Sequence, residues 1–150
     1  SIVLRSEYGY STNKYFLSRD ANGIVGFSET PEFKVAAAID YNADDEWFVS
    51  GQLLLSDVIK SGLQLSRDEL ETSATLLVRK SLFNNSLILE NFVVHSLNNE
   101  DGIIRPKFIY EYKSNMSIWG SIDIFYGDSL GYFGQFKGLD RFNFGLKIGI

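Results

Sequence analysis

The chain has 150 residues, of which 45% are apolar and 15% aromatic, no cysteine, and a formal net charge of -5. That length makes one domain with room for a core. The missing cysteines exclude a disulfide framework and a thiolate metal site, and the acidic balance argues against a nucleic-acid partner, which needs a basic face.

Taken in order, the residues read as strands. Residues 2–10 alternate, with Ile2, Leu4, Tyr8 and Tyr10 on one face and Val3, Arg5, Glu7 and Gly9 on the other. The pattern starts at Ile2 with no leader before it, so the expectation is a mature chain or a piece of a longer one. Residues 11–29, rich in Ser, Asn, Asp and Gly, read as a long loop. A second strand over 30–41 sets Phe33, Val35, Ala37, Ile39 and Tyr41 against Glu32, Lys34, Ala36, Ala38 and Asp40. After a turn at Asn42-Ala-Asp-Asp45, Trp47, Val49, Gly51, Leu53 and Leu55 oppose Phe48, Ser50, Gln52, Leu54 and Ser56. Residues 57–70 form a second long connection, in which 57–63 could hold a helical turn.

A fourth strand covers 71–82, with Ala74, Leu76 and Val78 opposite Thr75, Leu77 and Arg79, and Asn84-Asn85 signals a tight turn. The fifth, 87–96, is ambiguous: turning Glu90 to the polar side puts Asn91 on the apolar one, and that choice is the better of the two. Residues 98–102 are a polar loop. In the sixth strand, 104–113, Pro106 costs a ladder hydrogen bond and is expected near the strand's start or at a bulge. Ser114-Asn115 is a two-residue turn, 116–126 is the seventh strand, and 127–139 is a Gly-rich loop. The last strand, Asp140 to Ile150, alternates Phe142, Phe144, Leu146, Ile148 and Ile150 with Arg141, Asn143, Gly145, Lys147 and Gly149.

The fold class that follows is all-β: an up-and-down antiparallel transmembrane β-barrel of eight strands, closed alone or part of a larger barrel, in a single domain over 1–150. Connections alternate between long and short, as in barrels with short turns on one side of the membrane and longer loops on the other. No apolar run approaches the roughly 18 residues of a spanning helix. On the apolar face, Tyr41, Trp47, Phe83 and Tyr112 gather at the short-turn end, and Tyr8, Tyr10, Phe33, Tyr126 and Phe142 at the long-loop end. Two aromatic girdles around an aliphatic band suit headgroups around hydrocarbon. The expected orientation is apolar face outward, with Arg5, Glu32, Lys34, Arg79, Arg105, Lys107, Glu111, Asp123 and Arg141 lining the lumen.

The alternating last strand, Phe142-x-Phe-x-Leu-x-Ile-x-Ile150, resembles the C-terminal assembly signal of Gram-negative outer-membrane β-barrels, whose usual final Phe is here Ile150. Residues 33–55 and 108–150 resemble the last strands of large porin-like barrels. The resemblance implies an outer-membrane location, the lipid bilayer and lipopolysaccharide as surroundings, and contact of residues 142–150 with the outer-membrane assembly machinery. It implies a pore-forming or substrate-exporting parent barrel. A homo-oligomer is one way to widen the passage.

No catalytic, cofactor or metal site is expected. His95 is the only histidine, and Ser96, its neighbour on a strand, points to the opposite face and cannot be its partner. Tyr126 or a loop serine could reach it, but a rim histidine is the plainer reading. Asn98-Asn-Glu-Asp-Gly102 and Asn42-Ala-Asp-Asp-Glu46 lack calcium-loop spacing. Besides a porin-like passive channel, the sequence allows a small closed barrel that anchors external loops 11–29 and 127–139 for surface recognition, and a soluble lipocalin-like carrier.

Overall fold

The computed structural model describes residues 1–44, 46–59 and 64–149. The readings that fall on Asp45, on 60–63 and on Ile150 lie outside the described residues. The described residues form one antiparallel, up-and-down sheet of nine strands: β1 (Ile2–Arg19), β2 (Val25–Ala43), β3 (Trp47–Val58), β4 (Gln64–Leu65), β5 (Leu70–Leu82), β6 (Leu87–Ser96), β7 (Asp101–Lys113), β8 (Met116–Tyr126) and β9 (Arg141–Ile148). Their order in the sheet is β4-β1-β2-β3-β5-β6-β7-β8-β9, and the sheet is open, because β1 and β9 do not pair. Eight of these strands are the expected ones; the ninth, β4, is a two-residue strand that leaves the β3–β5 connection and pairs with Ser18 and Arg19 of β1.

Three expectations need correction. Residues 11–29 are a hairpin and not a loop: β1 runs on to Arg19, β2 starts at Val25, and Asp20 closes the turn by accepting the Asn22 and Ile24 N–H groups at 2.9 and 2.8 Å. The sequence hid this because a bulge between Ser11 and Lys14 shifts the register and swaps the alternation. Apolar side chains fall on even numbers before it (Tyr8, Tyr10) and on odd numbers after it (Tyr15, Leu17). The polar loop 98–102 gives up Asp101 and Gly102 to the start of β7. Pro106 sits inside β7, opposite Asn91, with no bulge beside it: pairing with β8 passes from Ile104↔Ile124 to Lys107↔Ser121 in unchanged register.

The short turns stand where the sequence placed them. Phe83, Asn84 and Asn85 take φ of 52°, 53° and 67°, the left-handed conformation that Asn tolerates and that lets β5 reverse into β6. Glu90 lies on the polar side, opposite Arg79 and Lys107, and leaves Asn91 on the apolar side opposite Val78 and Pro106.

The two faces of the sheet differ in burial. On the apolar face Leu4 is 76% exposed, Leu53 54%, Phe144 79% and Leu146 54%. On the other face Glu32 is 2% exposed, Asp123 6% and Asp40 9%, while the buried apolar side chains are only Ala38, Val58 and Ile103 among the described residues. The described residues therefore form no conventional apolar core. Its surface of 10277 Å² exceeds the roughly 7,700 Å² expected of a compact monomer of 17.0 kDa. A single-layered sheet can bury its polar face only by curling toward it or by laying loops over it.

The register supplies the stagger that curling requires. From Val3 near the start of β1, successive partners are Asp40, Ser50, Leu77, Phe92 and Arg105. The Arg105–Asp123 ion pair then leads to Arg141, the first residue of β9. The walk enters at the short-turn end and leaves at the long-loop end, so the strands are inclined across the sheet, as they are in barrels.

Candidate functional site

The polar face is the candidate site, and its chemistry follows from side-chain length. Asp and Glu are short and hold their carboxylates close to the sheet, where hydroxyl and amide neighbours reach them. Arg and Lys are long and lie over the acids on adjacent strands. Asp40 receives Arg5 at 2.7 and 2.9 Å and the Ser50 hydroxyl at 2.6 Å. Glu90 receives Arg79 at 2.9 and 2.7 Å, with Lys107 at 3.7 Å from its other oxygen. Asp123 pairs with Arg105 and accepts the Asn143 amide at 3.3 Å. Aromatic rings lie beneath several cations: Phe48 under Arg79 at 5.9 Å, Trp119 under Lys107 at 5.6 Å, and Phe125 and Phe136 under Arg141 at 5.7 and 5.8 Å.

A denser cluster occupies the long-loop end. Glu32 accepts Lys14 at 2.5 Å and Ser56 at 2.7 Å, with Arg67 at 3.3 Å and Lys34 at 3.4 Å. Arg67 also reaches Glu71 at 2.9 Å and lies over the Phe16 ring, 5.4 Å from its centroid. It thereby pins the segment between β4 and β5 across the polar face. The Tyr132 hydroxyl, from the β8–β9 connection, donates to Glu71 on β5 at 3.5 Å. A cavity of about 900 Å³ opens between these two segments, bordered by Leu17, Arg67, Asp68, Glu71, Tyr132 and Gln135 among others.

Of the residues expected to line a lumen, Glu32 and Lys34 meet in the end cluster, Arg79 and Lys107 converge on Glu90 from the two neighbouring strands, and Arg105 pairs with Asp123. Arg5 pairs with Asp40, Arg141 stands opposite Asp123, and Glu111 is exposed opposite Ser117. Lys14 and Arg67 were missed because both fall in stretches that read as loop. The only sign of Lys14 was the alternation that resumes after the bulge; nothing in the sequence marked Arg67.

Asp101 fixes the β8–β9 connection. It is fully buried, and its Oδ2 accepts the Phe133 and Gly134 N–H groups at 2.6 and 3.0 Å, at the start of the 3-10 turn Gly134–Phe136. A Cβ on Gly131 would come within 2.3 Å of that same carboxylate oxygen, which is why glycine is needed there. Asp101→Ala removes the acceptor from one buried and one half-buried donor, Gly134 and Phe133, a cost of about 1–3 kcal/mol. The expected result is faster amide hydrogen exchange across 127–139, with β5 and β6 unchanged.

On the apolar face His95 Nδ1 lies 3.1 Å from the Tyr126 hydroxyl, with the rings stacked at 5.9 Å. Gly102 stands between them in the register and has no side chain to block the contact; a Cβ there would fall 2.5 Å from the Tyr126 oxygen. Ser96 is buried on the opposite face, as strand alternation requires. Comparisons with protein-family models, with curated proteins and with solved structures give no match to this chain.

Proposed function

We propose that the chain is a membrane-spanning β-sheet of the bacterial outer membrane. Its apolar face lies in lipid and its polar face lines a porin-like passage for small solutes. One observation carries this reading: large apolar side chains stay open on strand after strand while the carboxylates opposite them are buried and paired. Water would disfavour such an arrangement by leaving the apolar area uncovered, and hydrocarbon removes that penalty. The soluble-carrier reading needs the apolar face to enclose a cavity, and the exposure of Leu53 and Phe144 weighs against it.

Backbone edges cannot stay unpaired in hydrocarbon. In the bilayer β1 and β9 are closed by each other or by further strands of a wider barrel. The wider assembly suits the polar face better, because Arg5, Lys34, Arg79 and Arg105 are between 44% and 54% exposed, whereas a closed eight-stranded interior is filled by side chains. β9 and the residues after it, 142–150, would be the segment met by the assembly machinery.

A second reading, an anchor that presents its external loops, draws support from the Asp101-fixed shape of the β8–β9 connection. Reconstitution tests both. The expected result is heat-modifiable gel migration in detergent and discrete conductance in planar bilayers. A well-folded but silent barrel favours the anchor, and a folded monomer in detergent-free buffer contradicts both.

A further inference from the structure

We infer that the passage prefers small anions; the inference rests on the passage reading above. In the ion pairs of the polar face other than those of Arg67, which is itself 13% exposed, the acid is hidden and the cation is presented. Side-chain exposure is 13% for Asp40 against 54% for Arg5, 12% for Glu90 against 45% for Arg79 and 35% for Lys107, and 9% for Asp123 against 44% for Arg105. Glu32 is 2% exposed beneath Lys14 at 40% and Lys34 at 54%. The asymmetry has a geometric cause. Short carboxylates are held down by Ser50, Ser56 and Asn143, while the long cations reach over them and are backed by aromatic rings.

A solute moving along this face therefore meets ammonium and guanidinium groups first. Against the four acids Asp40, Glu90, Asp123 and Glu32 stand six cations, Arg5, Arg79, Lys107, Arg105, Lys14 and Lys34, so these sites carry net positive charge and present their positive end outward, where the closer charge sets the field. The exposed charges left over on the same face, Glu7 and Glu111 against Arg141 and Lys147, balance one another. The acids that make the whole chain negative sit largely in turns and loops, where physiological salt screens them beyond about 8 Å. Rings of cationic side chains are a known device for anion-selective pores. The substrate class is a small anion such as chloride, a carboxylate or a phosphate.

The experiment is the reversal potential of the reconstituted full chain in a potassium chloride gradient. The expected sign is chloride over potassium. The double variant Lys34→Gln, Lys107→Gln leaves Glu32 its Lys14 and Arg67 partners and Glu90 its Arg79, so the fold is kept; the reversal potential should shift toward zero with conductance retained. Potassium preference in the parent protein, or a reversal potential unmoved in the variant, overturns the anion preference alone. A folded protein without conductance overturns the passage reading and this inference with it.

Discussion

Replacing Leu53 by Arg should cost about 2–4 kcal/mol of folding stability in a bilayer, the cost of a charge on the lipid face near mid-membrane. Leu53 lies on β3 between Ala37 and Ala74, well inside the apolar face, and is 54% exposed in the isolated chain. That exposure makes the prediction discriminating. On a water-facing surface the same substitution touches nothing buried and should stay within about 0.5 kcal/mol. Urea unfolding in lipid vesicles measures the difference, with Gln52→Arg on the polar face as the comparison. A small effect at Leu53 together with a large one at Gln52 would mean the faces are reversed.

Glu32→Ala should be the most damaging change on the polar face. The carboxylate is 2% exposed and is shared by Lys14, Lys34, Arg67 and Ser56. Its loss leaves three cations around an empty acceptor. Lys14 and Lys34 can turn to water, but Arg67 is only 13% exposed and is held between β3 and β5. Arg67 keeps Glu71 at 2.9 Å, so the expected cost is about 1–3 kcal/mol, that of losing hydrogen bonds to a charged acceptor and not of orphaning a buried charge. Cleavage at Arg67 by an arginine-specific protease should rise as well, because the segment between β4 and β5 loses its tie to β2. Unchanged stability and cleavage would show that the cluster does not hold that segment.

The sheet was readable in the sequence wherever period-two alternation ran unbroken. From Phe33 to Tyr41, and from Met116 to Tyr126, each side chain falls on the face its parity gives. Even Glu90, in the ambiguous strand, could be placed, because a carboxylate gains more on the face that carries Arg79 than an amide loses on the other. Reading failed where the backbone changed parity or where a partner was distant in sequence. The bulge after Ser11 made a continuing hairpin look like loop, so Lys14 went unnoticed. Arg67 could not be foreseen at all: its contacts with Glu32 and Ser56 lie 35 and 11 residues away and depend on β4 folding back onto β1. The clamp from Asp101 to Gly134 is equally nonlocal, spanning 33 residues. Periodicity reports which way a side chain points, not which loop returns to meet it.

Lipid over the apolar face and water over the polar one is an arrangement that β3 can test directly. The chain has no cysteine, so single-cysteine variants along β3, at positions 49 to 56, can each carry one spin label in vesicles. Accessibility to oxygen, which concentrates in hydrocarbon, should peak at 49, 51, 53 and 55, and accessibility to a water-soluble nickel chelate at 50, 52, 54 and 56. The opposite alternation, or chelate access at every position, would contradict it.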